Sequence, residues 1–306
     1  VKVAVLRLSA FGDVVHVLPL CFVLKRGLPN TEVLLATAER NAVWTMDLPF
    51  LDRVLALPAA PGATAKVLRA EILDALLDAQ GLYKSALVAF RSGACLRGGF
   101  GFGACREPLA ALAYHRHAAP PCRAHIIDKN LALAALAGVS DRSLNGYSLA
   151  AVAADPRGTV ESFLRSLHGR RPAVLHPFSS RRDKDFPLDP LKALIPSLRA
   201  RGWEPVLSSG PGQEPMAEQA AAHLGCRRMP PLDVRETAAL LSVAACLAAP
   251  DTGFLHLADA LGVPTLSWFT RLPAWRNGPR FSRHLVFDRI PPDPRTMGEF
   301  VEALSA

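Results

Sequence analysis

The chain has 306 residues, half of them hydrophobic and a fifth charged, with a formal net charge of +8. That is more than one compact domain usually holds, so two are expected. No run approaches the roughly 18 to 20 consecutive apolar residues of a membrane-spanning helix, and no zinc-finger, RNA-recognition or basic-zipper pattern occurs, so the positive charge points to nucleotides or an acidic membrane surface ahead of nucleic acid.

The opening "VKVAVLRL" reads as a strand rather than a signal peptide. It leads into "SAFGDVVHVLP", positions 9–19, which sets Asp13 at the turn into the first helix. Pro19 suits a first helical position, so a short turn over 12–16 is expected before a longer helix. In nucleotide-binding α/β proteins that turn usually offers N–H groups to a phosphate, which a carboxylate would repel. Asp13 is therefore either a plain helix cap or a group with another task.

Strand-like runs ("EVLLAT", "RVLAL", "SALVAF") then alternate with helical stretches ("LPLCFVLKRGL", "TAKVLRAEILDALLDA", "REPLAALAYHR", "HIIDKNLALAALAG"), the pattern of a parallel sheet flanked by helices. "DAQGLYKSA", positions 78–86, reads as a helix end capped by Gly81, and "GGFGFG", positions 98–103, as a flexible loop, because its glycine spacing is not that of a dinucleotide fingerprint. "YSLAAVAADPRG" breaks the rhythm, placing a boundary near 150–157, after which a second α/β unit of similar size begins. Two such units in tandem usually bind ligands in a cleft between facing carboxyl strand ends.

In the second unit, "HPFSSRRDKDFPLDP", positions 176–190, follows a strand and precedes a helix whose expected cap is Asp189 with Pro190 first. Its Ser179, Ser180 and Lys184 suit a diphosphate, although a solvated charged loop would look the same. "PDTGFLHLADALGVPTL", positions 250–266, ends a strand at Asp251 and opens a helix. The free N–H groups at 252–254 form an anion site, with His256 one turn on; the plainer alternative makes Asp251 or Thr252 simple caps. A stretch rich in Arg, Pro and Trp and a final helix close the chain. Six cysteines lack C-x-x-C spacing and read as buried free thiols. P-loop, zinc-protease and nucleophile-elbow motifs do not occur, nor does a D-x-D that would pair a metal with a diphosphate.

Taken in order and at these separations, "LSAFGDVVHVLP", "DAQGLYKSA", "CREPLAALAYHR", "SSRRDKDFP" and "DTGFLHLADALG" resemble the bacterial lipopolysaccharide heptosyltransferases of glycosyltransferase family 9, and within it the branch that adds the first heptose to Kdo of lipid A. The resemblance implies an α/β GT-B fold, two Rossmann-like domains facing a central cleft: residues 1–155 for the acceptor and 156–294 for the ADP-sugar donor, with a final helix at about 295–306 packing back onto the first domain. It implies an inverting, metal-independent transfer from ADP-heptose to Kdo-lipid A, with no cofactor beyond the donor. Asp13 corresponds to the family's base, and Ser9, Gly12, Arg106, Lys66 and Arg69 fall on the acceptor side. Ser179, Ser180, Lys184, Asp251, Thr252, Gly253 and His256 correspond to the diphosphate and heptose site, Glu214 to a ribose contact and Leu232 to an adenine contact. The implied place of work is the cytoplasmic face of the inner membrane, where the enzyme is peripheral.

The sequence departs from the family pattern in three places. The loop after the third strand offers only Lys66 and Arg69 where a basic cluster is usual. Phe186 stands where Trp is frequent, and "FTRLP" replaces a Gly-Pro-Thr turn. A different heptose or a later core acceptor, a nucleotide-sugar epimerase, and a non-catalytic nucleotide-sugar binding protein are the alternatives.

Overall fold

The computed structural model describes residues 1–304. It divides into two compact units, the first ending at Tyr147 and the second starting at Ser148, a few residues before the expected boundary.

The first unit holds strands β1 (Lys2–Leu6), β2 (Glu32–Ala38), β3 (Arg53–Leu57), β4 (Ala75–Asp78), β5 (Leu96–Phe100) and β6 (Arg116–Ala118), with helices α1 (Phe11–Gly27), α2 (Glu39–Thr45), α3 (Pro61–Ala70), α4 (Tyr83–Arg91) and α5 (Ile126–Leu131). The strands form one sheet in the order β3-β2-β1-β4-β5-β6. Every pair in it is parallel. Helices on both faces explain why β1 and β4 read as unbroken apolar runs.

The second unit repeats the design. Strands β7 (Pro172–Leu175), β8 (Glu204–Leu207), β9 (Arg227–Arg228), β10 (Cys246–Pro250), β11 (Thr265–Phe269) and β12 (His284–Asp288) accompany α6 (Thr159–Arg165), α7 (Leu188–Ala200), α8 (Glu214–Leu224), α9 (Val234–Val243), α10 (Gly253–Ala260), α11 (Ala274–Asn277) and α12 (Pro294–Ala303). Their sheet, β12-β11-β10-β7-β8-β9, is also parallel throughout. Both orders are doubly wound, reversing between β1 and β4 in one unit and between β7 and β10 in the other. Beyond the carboxyl ends of those strand pairs lies the usual place for a ligand.

Several local expectations are corrected. Helix α1 runs unbroken through Pro19, and Asp13 is its third residue; Asn130 of α5 donates to the His16 carbonyl at 2.9 Å in the turn that Pro19 disturbs. "TAKVLRAEILDALLDA" is not one helix, because the chain turns at Ile72, in the left-handed region at φ 52°, and "ALLD" becomes β4. "SALVAF" lies in α4. "GGFGFG" begins inside β5: a Cβ on Gly99 would lie 2.3 Å from the Tyr114 ring and one on Gly98 2.9 Å from Leu77, so these glycines admit close packing rather than flexibility. "REPLAALAYHR" forms a 3-10 helix, Pro108–Ala113, and then β6. Helix α7 starts two residues earlier than expected, at Leu188 with Pro187 as its cap in place of Asp189.

Helix α12 packs on α7 of the second unit. Its Met297 and Val301, four residues apart, join the core of that unit with Leu304. Arg201 donates to the carbonyls of Glu302 and Leu304, and Arg283 to that of Ala303 at 2.7 Å, securing the helix's last turn. Residues 305–306 of the expected helix lie outside the described residues. Cys21 and Cys246 are buried, and burial pushes both thiols up to about 12, whereas Cys95 and Cys122 are exposed, contrary to expectation.

Candidate active site

In the second unit the chain leaves β7 as a loop that braces itself before α7. The Ser179 N–H donates to Asp185 Oδ1 at 2.7 Å, while the Ser179 hydroxyl donates to the Arg181 carbonyl at 2.5 Å and accepts the Arg181 N–H at 2.9 Å. Ser179 therefore shapes the loop with its side chain, and Ser180 beside it is exposed. The Phe186 N–H closes the loop on the Pro177 carbonyl at 2.7 Å, and its buried ring meets Trp268 edge-on.

This bracing presents Lys184 to the turn after β10. Its ammonium donates to Asp251 Oδ2 at 2.7 Å, and His256 Nε2 lies 3.3 Å from Asp251 Oδ1. The carboxylate and imidazole are 7% exposed and the ammonium 20%. Burial alone would raise the Asp251 pKa, but its contacts with His256 and Lys184 outweigh it and hold the carboxyl below the usual range. The choice the sequence left open is thereby decided. Thr252 is the cap of α10, its hydroxyl accepting the Leu255 N–H at 3.4 Å, and Asp251 is occupied by two basic side chains instead. The first-turn N–H groups of Gly253 and Phe254 have no helical acceptor by position, so they and Lys184 form a positive corner suited to an anion.

Beside this corner, along the carboxyl ends of β8 and β9, is a cavity of about 170 Å³ lined by Ser208–Pro211, Glu214, Met229–Leu232 and Phe254 among others. It unites Glu214 and Leu232, which are 18 positions apart in sequence. Sites for drug-sized ligands run to roughly 300–1,000 Å³, so this one fits a single ring system with part of a sugar. The Phe254 ring is stacked on His176 with centroids 4.3 Å apart. Burial drives the His176 pKa down to about 4, and its Nδ1 is 2.8 Å from the Ser208 hydroxyl. A neutral imidazole thus ties β7, β8 and the start of α10 together. Glu214, exposed at the first turn of α8, is held below its ordinary pKa by its own N–H and that of Gly212.

Three supporting residues escaped the sequence reading. Gln213 joins two loops, donating to the Ser179 carbonyl at 2.8 Å and accepting the Gly210 N–H at 2.8 Å. Arg271, in the aberrant "FTRLP", binds Asp183 of the lysine loop at 2.5 Å, and Thr270 donates to the Asp183 carbonyl at 3.3 Å. The departure from the family pattern therefore braces the loop that carries Lys184.

The third is in the first unit, where Asp13 stands at the β1/β4 switch point. Its Oδ2 accepts the Ala10 N–H at 3.0 Å, as a residue closing the first turn would, and lies 2.5 Å from Arg7 Nη2. Arg7, only 9% exposed, also donates to the carbonyls of Ala79 at 2.6 Å and Ser9 at 3.0 Å. A buried guanidinium fixed at three points thus holds a carboxylate that is 38% exposed. Oδ1 has no protein partner among the described residues. The only signal for Arg7 in the sequence is a cation directly after an otherwise apolar strand. Gln80 completes the turn by accepting the Leu8 N–H at 2.9 Å, while buried Asp78 takes the N–H groups of Gln80 and Gly81 and the Tyr114 hydroxyl. "DAQGL" is therefore the β4–α4 turn and not a helix end.

Of the other residues assigned to this side, Ser9 and Gly12 share the Asp13 turn, and Arg106 is exposed in the loop after β5. Lys66 is exposed in the middle of α3. Arg69 falls in the last turn of α3 and donates to the Arg91 carbonyl at 3.1 Å. A helix following a strand runs back toward the strands' amino ends, so Arg69 is carried away from the carboxyl edge where Asp13 stands. Among the described residues there is no cluster of three or more metal-ligating side chains, and no helix is long and apolar enough to cross a membrane.

A model of the family "Glycosyltransferase family 9 (heptosyltransferase)" matches residues 62–284. The chain is 28% identical over 285 residues to lipopolysaccharide heptosyltransferase 1 of Escherichia coli K12, covering 87% of this chain and 86% of that one. It is 29% identical over 293 residues to the enzyme of the same name from Pseudomonas aeruginosa, covering 88% and 78%. Among solved structures, the E. coli heptosyltransferase WaaC with ADP superposes over the full length of both chains with a TM-score of 0.82 at 23% identity.

Proposed function

The chain belongs to glycosyltransferase family 9, and from that premise we propose that it transfers L-glycero-D-manno-heptose from ADP-heptose to Kdo of lipid A. The first unit serves the acceptor and the second the donor. The observation that carries the reading is the Lys184–Asp251–His256 group beside a ring-sized cavity at the switch point of the second sheet.

ADP fits the second unit in pieces. Adenine takes the cavity against Leu232, and the ribose hydroxyls meet the Glu214 carboxylate. The diphosphate meets Lys184 and the N–H groups of Gly253 and Phe254. Asp251 does not itself touch phosphate, since two anions would repel. It fixes Lys184 and His256, and its charge is balanced by Lys184 before donor arrives.

Asp13 is the base. An aspartate is ionised at pH 7, and Arg7 sets the direction of this one while Oδ1 is left to accept a proton. As the acceptor oxygen attacks C1 of the heptose, Oδ1 takes the hydroxyl proton, the C1–O bond to phosphate breaks, and ADP departs with the electron pair. A single displacement inverts the anomeric carbon. The negative charge gathering on the leaving diphosphate is stabilised by Lys184 and the α10 N-terminus. The lipid acceptor places this work at the cytoplasmic face of the inner membrane.

The test is incubation with ADP-heptose in the presence and absence of Kdo-lipid A. Heptosylated lipid and ADP, formed only with both substrates, support the proposal. Conversion of the donor alone would instead indicate epimerase or hydrolase chemistry, and binding without turnover a non-catalytic protein.

A further inference from the structure

The outward face of α4 is built the wrong way round for a helix bathed in water. It buries small side chains, Ser85, Ala86 and Ala89, with Val88, and turns its large apolar ones outward. Tyr83, Leu87 and Phe90, spaced as one helical stripe, are 51%, 41% and 59% exposed. The 3-10 helix Pro108–Ala113 packs alongside and adds Leu109 and Leu112, three residues apart and 60% and 72% exposed. A shallow apolar groove runs between the two elements.

The segment that carries this patch is one-sided in charge. Between Tyr83 and Arg116 the sequence has five cations, Lys84, Arg91, Arg97, Arg106 and Arg116, against one carboxylate, Glu107. That carboxylate is taken up by the Tyr83 N–H. The Arg97 guanidinium lies 5.4 Å from the centre of the Phe90 ring, keeping positive charge at the edge of the apolar surface.

We propose that this face docks on an anionic lipid bilayer, the large side chains entering the interface and the cations meeting lipid headgroups. Apolar anchors with a basic rim are what such a surface selects, and each rim cation adds to the attraction. A twofold contact between copies would instead bring both sets of cations together. The proposal deepens the functional reading by giving the membrane visit a surface; it rests on that reading only for which membrane is met.

The test is cosedimentation with phosphatidylcholine vesicles with and without phosphatidylglycerol, at low and high salt, for the unaltered protein, L87S/F90S and L109S/L112S. The expected result is binding to the anionic vesicles, weakened by salt, and reduced roughly tenfold or more in either double variant. Transfer to a deacylated, water-soluble acceptor is expected to be unchanged in both. Thermal melting shows that they are folded, and two variants on different elements guard against one misfolding. No binding by the unaltered protein, equal binding to neutral vesicles, or full binding by both variants overturns the proposal. So does a dimer in sedimentation velocity that L109S/L112S dissociates without any vesicle binding. Vesicle binding without any heptose transfer would sink the functional reading and leave the docking surface standing.

Discussion

Replacing Lys184 by Met separates the two tasks assigned to its ammonium. One is to neutralise Asp251, whose carboxylate is 7% exposed and 2.7 Å away. Cutting one side of a buried pair costs about 3–5 kcal/mol when the remaining charge is abandoned. Here His256 stays at 3.3 Å, so about 2–3 kcal/mol of stability is expected to be lost. The other task is to hold diphosphate, and one charge-assisted hydrogen bond is worth about 1.5–3 kcal/mol, or about 10- to 150-fold in Kd. Adding Asp251→Asn removes the abandoned charge, so K184M/D251N is expected to regain most of the lost stability while still binding ADP weakly. Urea unfolding and calorimetric titration with ADP read the two effects independently. ADP affinity equal to the unaltered protein in K184M, or recovered in the double variant, would refute the assignment of Lys184 to the diphosphate.

Three further outcomes are expected. Arg7→Met frees the Asp13 carboxylate from its fixed guanidinium and lowers kcat about 10- to 100-fold with little change in the donor KM, with Arg7→Lys between the two; a loss confined to KM would contradict the positioning role. His176, neutral through burial with a pKa of about 4, has an unfolded reference near 6.5. The unfolded chain takes up the proton first, so its contribution is complete above about pH 6.5 and lost as pH falls toward 4, by about 3 kcal/mol in all. Denaturant unfolding across that range should show a shallower decline in His176→Phe. Gly99→Ala, whose Cβ would sit 2.3 Å from the Tyr114 ring, is expected to cost about 1–3 kcal/mol, and an unchanged melting temperature would show that the sheet yields there.

The doubly wound pattern was legible because parallel strands covered on both faces appear as short apolar runs between turns, as β1, β2, β3, β7, β8, β10 and β11 do, whereas β5 (LRGGF), β6 (RHA) and β9 (RR) carry no such run. The α4 segment shows where that signal fails. "SALVAF" is apolar on its inner face, through Ala86, Val88 and Ala89, and on its outer face, through Leu87 and Phe90, so neither period stands out and a strand fits as well as a helix. The same outward apolar residues that hid the helix are those of the proposed bilayer surface. The glycines of β5 were misread because the reason for them, the Tyr114 ring, lies fifteen residues away. Lys184, Asp251 and His256 could each be proposed from their turns, but their union could not, since it depends on β7 and β10 being neighbours. Arg7 carried almost no signal. Its significance comes from the carbonyl of Ala79, 72 positions away, which only the folded sheet brings within reach.

The central claim is that Asp13 removes the acceptor's proton during transfer from ADP-heptose. Initial rates of heptose transfer to Kdo-lipid A, measured beside ADP affinity for the unaltered protein and Asp13→Asn, test it most directly. A rate lower by roughly two to four orders of magnitude with ADP affinity unchanged is the expected result. Near-normal turnover by the Asn variant would contradict the account.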